Sequence, residues 1–425
     1  MRKTIQSVLT EGFTYPVRDV LWGHVYLTPA LAELLACVPF MRLGHIQQLG
    51  PVFLVYPGAT HTRASHSIGV YHLGRRLLQN LAERGAAQWL SPEGVNSFLC
   101  ACLLHDLGHF PYTHSLKELP LRCHEELTGA VILNEPVKSL VGNTGADPEL
   151  AAAIVDKELP GPAGSETELL FYRKLLSGCL DPDKLDYLNR DARYCGVTYG
   201  VQDVDFILSR LSPHIERGTD IDSRLIPNVE AILFSKYLMY RTVYWHRQVR
   251  SATAMIKKAL LASLESGLVK GEELYDLDDQ SLFELLREKT GNFLAKAVWE
   301  GRIYATIAEI PFKEAEHCGL RDINSRSCHE EQLAAEFRRA GVPLAGKDLI
   351  IDIPEPVSFE TGLFVVDEGC FFAESSSAFR AETVNAFVKN LYTIRIFVNP
   401  NFEQNLKTLS GLYDILYNNE KWLYL

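Results

Sequence analysis

The sequence predicts a mainly α-helical protein whose helical core is followed by a smaller C-terminal α+β lobe. Apolar residues recur at helical spacing through much of the first 300 residues, and from about residue 301 short apolar runs alternate with turn residues. The chain has 425 residues, more than the roughly 300 at which a single hydrophobic core stops growing. We therefore expect a helical domain over residues 1–300, with its core at about 50–195, and a second lobe over residues 301–425.

Individual elements follow from local signals. Three helix starts combine a capping side chain with a proline suited to the first turn: Thr28-Pro29, Ser91-Pro92 and Asp181-Pro182. We expect a buried strand or extended segment at 52–56 and a long helix from 227 to about 266. In the C-terminal lobe we expect strands at 348–353, 363–366, 370–373 and 393–398, and a helix at 381–391. A final helix would place these residues on one face: Phe402, Leu406, Leu409, Tyr413 and Leu416.

The composition is that of an ordinary globular protein, with 47% hydrophobic and 22% charged residues. A net charge of −11 argues against non-specific nucleic-acid binding, although a local basic pocket for an anionic substrate remains compatible with it. The N-terminus lacks a signal-peptide pattern and no apolar run reaches about 18 residues, so we expect a cytoplasmic protein without a membrane span. The nine scattered cysteines indicate neither a disulfide framework nor a zinc ribbon.

His105 and Asp106 end a strongly apolar run, where a charged pair is unexpected. Read as a helix, the run places Asp106 on the same inward stripe as Phe98 and Leu99. A buried carboxylate costs several kcal/mol unless it is paired or binds a metal. The sequence therefore predicts a partner for Asp106.

Four side chains are candidate metal ligands: His66, His105, Asp106 and Asp183. Two imidazoles and two carboxylates form a mixed nitrogen and oxygen set that suits Fe, Mn, Co, Ni or Zn. Such a metal acidifies bound water and polarises a phosphoryl oxygen, which provides a nucleophile and a Lewis acid together. The pattern indicates metal-dependent hydrolysis of a phosphate ester or anhydride.

Longer strings around these residues resemble the HD superfamily of metal-dependent phosphohydrolases, and within it the deoxynucleoside triphosphate (dNTP) triphosphohydrolase branch. The strings are QQLG at 47–50, YPGATHTRASHSIGV at 56–70, HDLGHFPYTH at 105–114 and DKLDYLNRD at 183–191. The resemblance covers roughly residues 12 to 265. It implies a helical HD core, a nucleotide substrate and a homo-oligomer.

The resemblance also implies roles for individual residues. His66, His105, Asp106 and Asp183 would hold the metal, and a carboxylate could be shared with a second, Mg-like ion. His114 would protonate the departing 5′ oxygen, supported by His109 and His124. The residues implied to bind the substrate are Arg63 and Lys184 at the phosphates, Gln48, Leu49, Tyr187 and Asp191 around the sugar, and Lys236, Tyr240 and Tyr244 along a third wall. The implied reaction converts a dNTP to a deoxynucleoside and inorganic triphosphate through a metal-bound water.

The sequence departs from the family pattern at one position, and two alternative functions remain open. Many relatives have an acidic residue three positions after the His114 equivalent, whereas this chain has Lys117 there, followed by Glu118. The metal centre alone does not determine which bond is cleaved. A phosphodiesterase or phosphatase acting on nucleoside monophosphates, cyclic nucleotides or dinucleotides therefore stays open, as does a nucleotide-binding sensor.

Overall fold

A computed structural model describes residues 4–355, 357–375 and 378–418 of the chain. The predicted fold class is confirmed: helices dominate, and the larger of the small sheets lies in the C-terminal lobe. The α-helices are α1 (Ile5–Thr10), α2 (Pro29–Leu35), α3 (Val38–Leu43), α4 (Arg63–Glu83), α5 (Pro92–Leu104), α6 (His124–Leu133), α7 (Val137–Asn143), α8 (Pro148–Val155), α9 (Glu166–Leu176), α10 (Pro182–Cys195), α11 (Val204–Arg210), α12 (Ile226–Met239), α13 (Arg247–Glu265), α14 (Asp279–Leu285), α15 (Phe293–Trp299), α16 (Glu314–His317), α17 (Ile323–Arg339), α18 (Phe372–Ser375), α19 (Ala381–Leu391) and α20 (Glu403–Lys407).

The strands form small antiparallel sheets. Their bounds are β1 (Tyr15–Asp19), β2 (Gly23–Leu27), β3 (Ser212–His214), β4 (Gly218–Asp220), β5 (Ala305–Pro311), β6 (Leu349–Asp352), β7 (Phe364–Val365), β8 (Cys370–Phe371) and β9 (Thr393–Val398). Strand β9 pairs with both β5 and β6, which gives the three-stranded order β5-β9-β6. The predicted hairpin around Asp367-Glu368-Gly369 forms as β7 and β8.

Side-chain caps begin the helices that carry the candidate site. The Thr62 hydroxyl accepts a hydrogen bond from the Ser65 amide at the start of α4, and Asp181 accepts one from the Lys184 amide at the start of α10. Helix α4 packs against both α5 and α10. Its inner face, with Val70 and Leu73, is fully buried. This packing brings the first turns of α4 and α10 to the end of α5, where His105 and Asp106 lie.

Three expectations about secondary structure are wrong. Residues 52–56, predicted as extended, lie in and directly after a 3₁₀ helix, Gly50–Leu54. The helix predicted over 227–266 is interrupted, because α12 passes into a π-helical turn, Tyr240–Tyr244, before α13 begins. The final helix is likewise broken between α20 and a π-helical turn, Asp414–Asn418, and part of the chain beyond it lies outside the described residues.

Buried residues from both sides of residue 300 pack in the same hydrophobic clusters. Phe359, Phe372 and Leu391 from the C-terminal part pack in the same buried cluster as α4 and α5. A further cluster joins α13 and α15 to Ile350 and Phe397 of the three-stranded sheet. The division at residue 300 stays a prediction, but C-terminal segments reach the helical domain at the site described next. In the described part of the chain, no helix has the length and apolar character needed to cross a membrane.

Candidate metal-dependent active site

A cavity of about 400 Å³ opens where α4, α5, α10 and α13 meet. Its volume is in the range of small-molecule sites. Most of the residues predicted for the site line it: Gln48, Leu49, Arg63, His66, His105, Asp106, His114, His124, Asp183, Tyr187, Asp191, Tyr240 and Tyr244. His109, Lys184 and Lys236 do not line it. Residues from distant parts of the sequence therefore meet around one cavity.

Three of the four predicted metal ligands form a compact group. One ligand atom each from His66, His105 and Asp183 lies within 4.8 Å of the others. The three residues come from the first turn of α4, the end of α5 and the first turn of α10. A divalent ion held here would join three helices and face the cavity.

The protonation pattern of His105 fits a metal ligand. Its Nδ1 lies 3.0 Å from the Cys102 carbonyl oxygen, which can only accept, so Nδ1 carries the proton. Its Nε2 is buried and forms no hydrogen bond to the described residues, although it lies 3.3 Å from a carboxylate oxygen of Asp106. A buried imidazole nitrogen with a free lone pair, next to a second imidazole and a carboxylate, matches the mixed donor set of first-row transition metals. The chain thus has residues that could hold a divalent metal.

Asp106 lies outside this compact group. One of its carboxylate oxygens accepts a hydrogen bond from Arg63 Nη1 at 2.8 Å, and the other lies 3.1 Å from His109 Nε2 and 3.3 Å from His105 Nε2. Burial disfavours the charged form, but His109, His105 and Arg63 hold the pKa of Asp106 well below its usual range. Asp106 is therefore a charged carboxylate paired with Arg63, and its role as a fourth metal ligand stays a prediction.

His66 has a second carboxylate partner, which the sequence analysis did not single out. His66 Nε2 lies 3.0 Å from Asp183, and its Nδ1 lies 2.9 Å from the fully buried Asp186. Burial opposes protonation of His66, yet without a metal its hydrogen bonds to Asp183 and Asp186 raise its pKa to about 10. A metal bound at Nε2 would take the place of the proton on that nitrogen. Asp186 also accepts hydrogen bonds from Arg190 and Trp22. A carboxylate behind a metal-binding histidine fixes the orientation of the imidazole ring.

Two glycines permit the close approach of these elements. A Cβ atom at Gly69 would lie 1.9 Å from Asp186 Oδ1, so only glycine lets α10 bring this carboxylate to α4. A Cβ atom at Gly108 would lie 2.3 Å from the His124 carbonyl oxygen. Gly108 therefore lets the start of α6 pack on the loop that follows His105 and Asp106.

A second histidine group, formed by His109, His114 and His124, lies on the other side of Asp106. The His109 ring centroid lies 4.0 Å from that of His124 and 4.7 Å from that of His114. The His114 side chain is exposed to the cavity, but the surrounding atoms of the cavity wall, together with His124, Arg63 and Lys117, lower its pKa below the usual value. His124 in turn lies 3.0 Å from the Glu125 carboxylate. His114 is therefore neutral at neutral pH before an anion binds.

The predicted sugar-binding residues form a connected wall. The Asp191 carboxylate lies 2.9 Å from His61 Nε2 and accepts a 2.5 Å hydrogen bond from the Tyr244 hydroxyl. Tyr244 and Tyr240 contact each other edge to face within the π-helical turn, a feature frequent at functional sites. Tyr187 also lines this part of the cavity. His61, which the sequence analysis did not single out, orients Asp191.

Lys184 and Lys236 are bound by protein groups outside the cavity lining. Lys184 Nζ donates to Asp181 at 2.8 Å and to the Gly178 carbonyl at 3.0 Å. Lys236 Nζ donates to the Ser358 carbonyl at 2.7 Å. The contact of Lys184 with phosphate and the place of Lys236 in the third wall stay predictions, and in this structure a ligand contact would require these side chains to exchange partners.

Arg42 supports the His105-Asp106 loop from behind. Its guanidinium donates to the main-chain carbonyls of Leu107 at 2.7 Å and His109 at 2.6 Å, and to that of Leu277 at 3.1 Å. These contacts use backbone acceptors that carry no side-chain signature. The sequence therefore offered no signal for this role of Arg42.

Comparison with known families agrees with this geometry. Residues 63–160 match the family model of the HD domain, and residues 210–408 match that of the HD associated region. The matches show an HD domain followed by an HD associated region. The superfamily resemblance predicted from the four sequence strings is thereby confirmed.

The HD chain is similar to several curated proteins and solved structures. It is 34% identical to the uncharacterized protein YwfO of Bacillus subtilis over 251 residues, covering 57% of this chain and 54% of YwfO. It is 27% identical to human deoxynucleoside triphosphate triphosphohydrolase SAMHD1 over 282 residues, covering 58% of this chain and 44% of SAMHD1. The crystal structure of a phosphohydrolase from Bacteroides thetaiotaomicron superposes with a TM-score of 0.69 at 22% identity, covering 91% of this chain and all of the other.

These similarities differ in what they establish. The HD chain spans about half the length of the first curated relatives it matches. The structural similarity, at 22% identity, establishes the fold. Together with the family matches, the sequence similarities support an HD-superfamily phosphohydrolase that resembles the dNTP triphosphohydrolase branch.

Proposed function

We propose that this chain is a metal-dependent phosphohydrolase that converts a dNTP to a deoxynucleoside and inorganic triphosphate. Water adds its oxygen to the α-phosphorus, the bond between that phosphorus and the 5′ oxygen breaks, and the 5′ oxygen takes up a proton. The observation that carries the proposal is the compact His66, His105 and Asp183 group at the wall of a nucleotide-sized cavity.

A divalent metal held by this group would acidify water and polarise a phosphoryl oxygen. The other residues of the wall supply positioning and proton transfer. Arg63 lines the cavity and uses one Nη1 hydrogen bond for Asp106, so its remaining guanidinium N–H groups could donate to a phosphate oxygen while it retains Asp106. The phosphate charge would also raise the pKa of His114, which then can donate a proton to the 5′ oxygen.

The sugar wall supports a deoxyribose. Asp191 is fixed by His61 and Tyr244 and has acceptor capacity left for a sugar hydroxyl. A ribose would add a hydroxyl next to the aromatic Tyr187 side chain. If that hydroxyl is left without a partner, the loss is about 1 to 3 kcal/mol, or roughly 10- to 100-fold in rate.

A panel of dNTPs and NTPs with Mn, Mg, Co and Fe, followed by separation of the products, tests this proposal. We expect deoxynucleoside and inorganic triphosphate in equal amounts, and a preference for dNTPs over NTPs. Orthophosphate or a nucleoside monophosphate as product would instead support a phosphatase or phosphodiesterase. Assembly into a homo-oligomer stays a separate prediction that light scattering can test.

The His105→Ala variant tests the metal site itself. It should lose bound metal, measured by elemental analysis of the purified protein, and should lose at least about 100-fold in kcat, because the ion can no longer activate water. The matched control is His214→Ala, which removes a histidine of the β3–β4 hairpin, away from the cavity lining. Full metal content in His105→Ala would contradict the assignment.

A further inference from the structure

A C-terminal segment covers Lys184, which matches a phosphate-binding residue, and Lys236 of the third wall. This segment, residues 357–363, packs Phe359 into the core of the helical domain. Its Ser358 carbonyl accepts the hydrogen bond from Lys236 Nζ, and its Glu360 carbonyl accepts one from Cys179 Sγ at 2.9 Å. The segment is therefore fixed by its backbone at the entrance to the lysine pair.

The Glu360 carboxylate lies between the two ammonium groups. The same oxygen, Oε2, lies 3.6 Å from Lys184 Nζ and 3.5 Å from Lys236 Nζ. Both distances exceed those of a good charged hydrogen bond, so the carboxylate is attracted by both charges without being tightly bound to either. Its side chain keeps 42% exposure, which leaves it free to rotate into solvent.

The other anion near the pair is held differently. Asp181 is almost fully buried, accepts from Lys184 Nζ at 2.8 Å and also caps α10 through the Lys184 amide. Asp181 cannot leave without exposing a helix end and a buried charge. Of the two carboxylates, only Glu360 is placed to be displaced by an incoming anion.

The lysine pair also adjoins the cavity. Lys184 directly follows Asp183 of the candidate metal group, and Lys236 lies one helical turn before Tyr240, which lines the cavity. A phosphate chain that begins at the metal group could therefore extend toward the position that the Glu360 carboxylate now occupies.

We propose that Glu360 is a specificity-determining residue that occupies the outer-phosphate position until a polyphosphate displaces it. This inference rests on the proposed function for the identity of the natural substrate. A ligand must bring enough negative charge to replace the attraction between Glu360 and both lysines. A triphosphate carries several negative charges along its length, whereas a single phosphate group carries less charge and is shorter. Glu360 thus favours ligands with several phosphate groups over ligands with one.

Binding of inorganic tripolyphosphate, measured by titration calorimetry, tests the inference without any hydrolysis. Glu360→Gln keeps the side-chain shape but removes the competing charge, and should bind tripolyphosphate about 5-fold more tightly, the effect of one partly exposed ion pair. Glu382→Gln is the matched control, because it removes an exposed carboxylate of the same lobe, on α19, and should leave the affinity unchanged. Unchanged or weaker binding by Glu360→Gln would overturn the proposal.

A second variant separates displacement from a general change in structure. In the Lys236→Gln background, Glu360→Gln should increase the affinity for tripolyphosphate by half as much or less, because one of the two lysines that attract the carboxylate is gone. An undiminished gain would show that Glu360 acts elsewhere and would also overturn the proposal. If tripolyphosphate binding responds as expected but dNTPs yield no inorganic triphosphate, the proposed function fails while the role of Glu360 stands.

Discussion

Replacing Asp186 by asparagine should destabilise the protein and weaken metal binding together. The carboxylate is fully buried, and each of its oxygens accepts two hydrogen bonds. Oδ2 accepts from Arg190 Nε at 2.8 Å and faces His66 Nδ1 at 2.9 Å, while Oδ1 accepts from Arg190 Nη2 at 2.9 Å and Trp22 Nε1 at 2.6 Å. The asparagine side chain can be placed in two orientations. In each, its NH₂ group replaces an oxygen that accepts hydrogen bonds and faces N–H donors that then have no acceptor.

The expected magnitude follows from these contacts. Removing one partner of a buried ion pair typically costs about 3 to 5 kcal/mol. Arg190 retains Asp19, whose carboxylate lies 2.9 Å from its Nη1, so the loss should be near the lower limit, about 3 kcal/mol. Because Asp186 also orients His66, we expect a further loss of about 10- to 100-fold in metal affinity.

Urea unfolding at pH 7 measures the first effect, and competition with a chelator measures the second. The control is Asp205→Asn, which breaks an ion pair between Arg76 and an Asp205 side chain that is 81% exposed. Exposed pairs contribute about 0 to 1 kcal/mol, so the control should hardly change the unfolding midpoint. If Asp186→Asn were no more destabilising than Asp205→Asn, the assignment of Asp186 as the buried support of His66 would be refuted.

Two further predictions concern packing and pH. Gly69→Ala should cost about 1 to 3 kcal/mol in unfolding free energy and reduce metal affinity by pushing Asp186 away, whereas Gly142→Ala, with open space at its Cβ position, should stabilise α7 slightly. Asp352 is buried, and Arg250 holds its pKa below the usual range despite that burial. Its stabilising effect is therefore present above the unfolded pKa of about 4 and is lost as the pH falls. The difference in unfolding free energy between wild type and Asp352→Asn, measured by urea denaturation, should be constant from about pH 8 to 5 and narrow below about 4.

The residues of the candidate site were predictable because they lie in ordered strings at helix ends. Capping signals fixed the starts of α5 and α10 to within a residue, and helical spacing placed Asp106 on the buried stripe at the end of α5. These are local properties of the chain, governed by backbone sterics and side-chain periodicity. Resemblance to a known superfamily then related the separate strings to one site.

Features that depend on distant contacts were not predictable in the same way. Residues 52–56 are a short apolar run, which cannot distinguish a strand from a buried turn of 3₁₀ helix by periodicity alone. Strand β5 was missed because its partner, β9, lies about 90 residues further along the chain. Glu360 likewise meets Lys184 and Lys236 only through tertiary packing of the C-terminal segment.

The position of the cleaved bond tests the account most directly. One dNTP hydrolysed in H₂¹⁸O, with the products followed by ³¹P NMR and mass spectrometry, reports both the products and the atom attacked. We predict inorganic triphosphate carrying a single ¹⁸O on a terminal phosphorus, together with an unlabelled deoxynucleoside. Orthophosphate, pyrophosphate or a deoxynucleoside monophosphate, or ¹⁸O in the deoxynucleoside, would contradict attack of water on the α-phosphorus at the His66, His105 and Asp183 group.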